Sequence, residues 1–174
     1  MTVFPKGSSK KEPVDYDDGR SEEEFVEFLN EKAGTNRLVG GALNDNAGRI
    51  VDLDELAKKL SAATNEAEKS SVFTEVEKVL AKVHSKWAPL KITNLQYRDA
   101  KYYAKVFEKV KADPQYPMNE KHRLEAIVAK GALASDKQVP SKKRLTRRVD
   151  NFKTRINILS AFAVSGKGLK HEEL

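Results

Sequence analysis

From Asp52 to Val164 the apolar residues return every three or four positions, in five runs separated by helix breakers. That period places side chains on one face of an α-helix and excludes the strict alternation of a half-buried strand. The first run follows Asp52, read as an N-cap, from about Leu53 to Ala62. The second, Glu66 to Trp87, carries Phe73, Val76, Leu80, Val83 and Trp87 and stops before Pro89. The third, Asn94 to Ala112, clusters Tyr103, Val106, Phe107 and Val110 and is broken at Asp113-Pro114. The fourth, about Met118 to Ala134, runs through Leu124, Ile127 and Val128. The fifth, about Ser141 to Val164, has the stripe Leu145, Val149, Phe152, Ile156, Leu159 and Phe162. Each helix has one apolar face to cover, so the spacing predicts a mainly α chain with an all-α five-helix bundle over residues 52–165.

The front of the chain reads differently. Thr2-Val3-Phe4 and Pro13-Val14-Asp15-Tyr16 are short strand candidates joined by the turn residues Pro5-Lys6-Gly7-Ser8-Ser9. Ser21 and Glu24 then have the spacing of a capping box, and Glu22, Glu23 and Glu24 suit the positive end of the helix dipole. Phe25, Phe28 and Leu29 share a face, and Lys32 followed by Gly34 marks the helix end. Residues 34–51 hold four glycines and three asparagines with no sustained period, and read as a linker. Gly166 and Gly168 open a tail over 166–174.

Charge separates the same regions. Residues 1–60 hold nine Lys and Arg against thirteen Asp and Glu, a net of −4, whereas residues 61–174 hold 23 against 13, a net of +10. The basic excess is densest on the fifth helix, where Arg144, Arg147, Arg148 and Arg155 fall largely away from the apolar stripe. Such a face is either a patch for phosphates or an acidic partner, or a solvated bundle surface whose acids lie on neighbouring helices. We expect no nucleic-acid ligand, because no aromatic residues interleave for base stacking.

Reactive chemistry is scarce. The 174 residues contain no cysteine, which removes disulfides, thiolate metal ligands and a thiol nucleophile. His84, His122 and His171 are far apart and form no i, i+4 pair, and neither a nucleophile elbow nor a phosphate loop is present. No catalytic residue, metal or cofactor is therefore expected. No apolar run approaches the roughly 20 residues that span a bilayer. The first residues lack the apolar core of a signal peptide, so a complete product of this sequence is expected in the cytosol. Against that stands the tetrapeptide His171-Glu172-Glu173-Leu174, which has the form of an endoplasmic-reticulum retention signal.

Two segments together resemble a known family. MTVFPKGSSKKEPVDYDDGRSEEEFVEFLNEKAGTNR is similar to the end of a thioredoxin-like domain of a protein disulfide isomerase: strand, F-P-K-G turn, strand ending in Tyr, G-R, capped last helix. GTNRLVGGALNDNAGRIVDLDELA resembles the junction between that domain and the helical D domain of fungal and plant-type isomerases. Redox-inactive lumenal chaperones share this domain. The resemblance implies that residues 1–33 are a remnant of a thioredoxin-like fold and that the bundle is a D domain. It further implies residence in the endoplasmic reticulum lumen, with unfolded or secretory clients and a retrieval receptor as partners. It transfers no catalytic residue, because the family's CGHC motif has no counterpart here and disulfide exchange needs a thiolate. The chain then reads as the C-terminal piece of an isomerase and a non-catalytic folding module. The alternatives are a free-standing cytosolic helical interaction protein and, third, a basic-helix nucleic-acid binder. The sequence carries no signal for oligomeric state.

Overall fold

The computed structural model describes residues 2–3, 13–17, 19–87, 95–133 and 142–162. The chain divides into two compact units, Met1–Ala47 and Gly48–Leu174.

In the first unit, strands β1 (Thr2–Val3) and β2 (Val14–Asp15) pair antiparallel, Thr2 opposite Asp15 and Val3 opposite Val14. The proposed turn between them lies outside the described residues. Helix α1 (Glu22–Ala33) begins as expected: the Glu24 amide donates to Ser21 Oγ at 3.3 Å, and the Ser21 amide donates to Glu24 Oε2 at 3.0 Å. The Ser21 hydroxyl and amide hold the Glu24 carboxyl below the usual carboxylate range. Gly34 closes the helix at φ 62°, a left-handed conformation that costs glycine nothing. Tyr16 stacks on Phe25 at 4.6 Å and meets Phe28 edge-on at 4.9 Å. Residues 34–47, read above as linker, carry hydrogen bonds of their own. Asn30 Nδ2 donates to the Arg37 carbonyl at 2.7 Å, and its Oδ1 accepts from the Arg37 amide at 2.8 Å. Beyond it, Arg37 and Leu43 bridge across a 3-10 turn at Val39–Gly41.

The second unit is the bundle: α2 (Val51–Ala62), α3 (Glu66–Trp87), α4 (Leu95–Ala112), α5 (Tyr116–Leu133) and α6 (Lys142–Phe162). Helix α6 packs on α2, α4 and α5, and α3 packs on α2 and α4. The core is drawn from all five, with Leu53, Tyr103, Leu124, Ile158 and Leu159 among its fully buried members.

Several sequence expectations shift on inspection. Helix α2 starts at Val51 with Ile50 as N-cap, so Asp52 sits in the first turn rather than capping it, still where the helix dipole favours an acid. Helix α5 starts at Tyr116, before the expected Met118, because Pro117 falls in the first turn, where its missing N–H would have had no intrahelical partner. On α3 the buried pair is Val72 and Val76, with Phe73, Leu80 and Val83 only half-buried. On α6 the predicted stripe runs out toward the N-terminus: Val149 is 40% exposed, while Thr154, Asn157, Ile158 and Ala161 are buried. A helix clamped against three neighbours near its C-terminal end buries more than one stripe there.

Candidate functional site

The bundle is anchored by a polar knot that no local pattern announced. Asp54 of α2 is buried, and Arg49 Nε donates to its Oδ2 at 2.6 Å. The Tyr103 hydroxyl, on α4, donates to the other carboxylate oxygen. Arg49 also donates through Nη1 to the Asn157 carbonyl of α6 at 3.2 Å, and the Ile50 amide donates to the Tyr103 oxygen at 3.4 Å. Burial first, then the bonded Asp54, raises the Tyr103 phenol well above the ordinary tyrosine range. Beside this knot, Gly48 has φ 81°, and a Cβ there would lie 2.2 Å from Thr154 Cγ2. Asp99 is buried, and among the described residues its ion partner is Arg98, at 3.6 Å; burial pushes its carboxyl up to about 6 despite that arginine. These groups position three helices. Asp54, Asp99 and Tyr103 lie inside the bundle, while Arg49 remains partly exposed at its edge.

The basic face of α6 is only partly visible. Arg148 is exposed, and the side chains of Arg144 and Arg147 lie outside the described residues. Arg155 is not on a free face: its guanidinium rests over the Tyr102 ring, 5.0 Å from the centroid. Tyr102 is buried enough to lift its phenol far above the ordinary range, and its hydroxyl has no hydrogen-bond partner among the described residues. Arg123 pairs in a fork with Glu120, through Nε and Nη2 at 2.7 Å each, which holds the Glu120 carboxyl below its usual range. The four arginines are thus not shown as one surface. His171, Glu172, Glu173 and Leu174 lie outside the described residues.

A concavity lies elsewhere among the described residues, where the C-terminal ends of α2, α4 and α6 meet the first half of α3 and the first turn of α5. This cleft encloses about 720 Å³. Its apolar wall is Leu60, Phe73, Val110 and Phe162, with Pro114 and Pro117 beside them. Phe162 is held from behind: Phe107 meets its ring edge-on at 4.8 Å, and the Ser61 hydroxyl donates to its carbonyl at 2.9 Å. The rim is charged. Lys69 pairs with Glu66 at 2.7 Å, and the Lys111 ammonium sits over the Phe73 ring, 4.6 Å from the centroid. The volume falls in the range of pockets that take small molecules or a few peptide side chains. The cleft carries no nucleophile–base pair, and among the described residues no group of three or more His, Asp or Glu is placed to hold a metal ion. No helix among them is long and apolar enough to cross a membrane. What the cleft offers chemically is an apolar wall bordered by charged side chains. Sequence reading missed the cleft because its walls come from four stretches spread over more than a hundred residues.

A thiol-free five-helix bundle with an apolar cleft at one end defines an all-α helical domain. The chain belongs to the family of the endoplasmic reticulum protein ERp29 C-terminal domain, whose model matches residues 48–162. Over nearly its whole length it is similar to part of several protein disulfide isomerases. Protein disulfide-isomerase tigA of Aspergillus niger is 38% identical over 172 residues, covering 99% of this chain and 39% of that protein. Protein disulfide-isomerase erp38 of Neurospora crassa is 37% identical over 174 residues, covering 100% of this chain and 41% of that protein. The probable protein disulfide-isomerase A6 of Medicago sativa is 36% identical over 164 residues, 94% of this chain and 38% of that protein. The chain therefore spans about two fifths of the length of these relatives. No solved structure matches it significantly.

Proposed function

We propose that the bundle is the non-catalytic, partner-binding module of an endoplasmic-reticulum folding protein, and that it engages unfolded stretches of client chains through the cleft between α2, α3, α4 and α6. The cleft carries this reading: four apolar residues from four helices form one wall, backed by a packed core, with a polar rim. Such a surface buries an apolar side chain of an unfolded segment, which a folded client keeps inside. These 174 residues have no cysteine, so thiol–disulfide exchange is not available to them and binding is the contribution left. Lumenal residence is supported by the family and by relatives that are isomerases, and His171–Leu174 is assigned as the retrieval tetrapeptide.

The experiment is a titration of the chain with a reduced, carboxymethylated secretory protein, alongside the native form of the same protein. Saturable binding of the unfolded form only, weakened by Phe73→Ser, is expected. Equal binding of both forms, or none, would overturn the reading. For the address, the chain behind a secretory signal peptide is expected inside the cell and, after removal of His171–Leu174, in the medium. Secretion of both would refute the assignment.

A further inference from the structure

The cleft is not simply greasy. Two of its lining charges lack an ionic partner: among the described residues, neither Lys111, whose ammonium rests on the Phe73 ring, nor Glu77 makes an ion pair or side-chain hydrogen bond. The other charged pair of the lining, Glu66 and Lys69, is already closed on itself. Lys111 projects from the last turn of α4 across to the Phe73 ring. Glu77 stands four residues after Phe73 on α3, so about one turn, roughly 6 Å, along the same helix. One cation resting on the ring and one anion a turn away, both without an ionic partner among the described residues, therefore border a single aromatic wall residue.

An apolar anchor seated against Phe73, Val110 and Phe162 would bring its neighbours within reach of both charges. In an extended peptide, residues two apart stand about 7 Å from each other on the same side, close to the helical spacing of Phe73 and Glu77. Burying an anchor without a counter-charge leaves Lys111 and Glu77 beside apolar surface and partly stripped of water, which costs free energy. A partner that supplies both counter-charges removes that cost.

Resting on the client-binding reading above, we infer that the cleft selects extended segments carrying one large apolar side chain with an acidic residue on one flank and a basic residue on the other. Lys111 takes the acidic flank, Glu77 the basic flank, and Phe73 with Val110 and Phe162 the anchor. Selection by paired flanks discriminates against uniformly apolar segments and against segments of one charge sign, since each leaves one rim charge unanswered or opposed.

The test uses the full chain and fluorescently labelled nine-residue peptides with a central Phe. One has Asp two positions before and Lys two positions after, a second has the order reversed, and others carry Ser at one or both flanks. A last peptide has Ser in place of Phe. The better of the two doubly charged peptides is expected to bind about threefold tighter than the Ser-flanked one for each matched charge, as partly exposed ion pairs provide. Loss of the Phe is expected to cost about tenfold or more. Lys111→Glu should erase the advantage of the acidic flank alone, and Glu77→Lys that of the basic flank alone. Both positions are at the rim, and circular dichroism checks that the variants keep the fold. Flank variants that all bind equally, or rim variants that leave the preference unchanged, would overturn the inference. If the carboxymethylated protein still bound in that case, the client-binding reading would stand without it. If neither peptides nor unfolded protein bound, both would fall.

Discussion

Tyr103→Phe removes one oxygen from the bundle and leaves every carbon in place. The ring is fully buried and packs 6.3 Å from the Phe162 centroid, so its apolar contacts survive the change. What disappears is the hydroxyl that donates to Asp54, together with the acceptor for the Ile50 amide at 3.4 Å. A hydrogen bond to a charged group contributes about 1.5–3 kcal/mol net, and the long amide contact adds little. Asp54 keeps Arg49 at 2.6 Å, and that arginine is partly exposed, so the carboxylate is weakened rather than orphaned. The expected loss is about 2 kcal/mol, or about 8 °C in Tm for a bundle of this size. Urea unfolding followed at 222 nm measures it. Asp54→Asn and the double variant complete a cycle whose coupling should be at least about 1 kcal/mol. A loss under about 0.5 kcal/mol, or additive single effects, would refute the view that this knot joins α2 to α4.

Gly48→Ala is expected to destabilise by about 2 kcal/mol in the same assay, because it adds a Cβ 2.2 Å from Thr154 Cγ2 at a positive φ; Thr154→Ser should recover part of it, and full stability of the single variant would be inconsistent with the close approach. Asp99, raised from 3.8 to about 6 by burial, binds a proton more tightly folded than unfolded, so its contribution is fully present below about pH 4 and lost as pH rises to about 6. Asp99→Asn should therefore exceed the parent by up to about 2 kcal/mol at pH 7 and converge on it near pH 4, and a constant difference across that window would contradict the assignment. Duplex DNA should bind at low salt only, through α6, and be released near physiological salt; saturable binding there that Arg144, Arg147 and Arg148 changed to Glu abolish would favour a nucleic-acid function.

How much was legible depended on range. The capping box at Ser21 and Glu24, the glycine at the end of α1 and the break at Asp113-Pro114 are decided within a few residues, and the five-run period fixes how many helices need covering. The absence of thiols is likewise a property of composition alone. What tertiary structure decided is which face of each helix is covered and where a gap remains. Period alone made Val149 a core residue, yet it is exposed, because α6 is clamped near its C-terminal end. Arg155 sat with the free arginines on a helical wheel, which has no term for the Tyr102 ring on another helix. Arg49 meets a carbonyl 108 residues away, and the cleft takes Leu60, Phe73, Val110 and Phe162 from four helices. Periodicity reports that a side chain seeks an apolar neighbour, and only the packing of the other helices determines whether one is there.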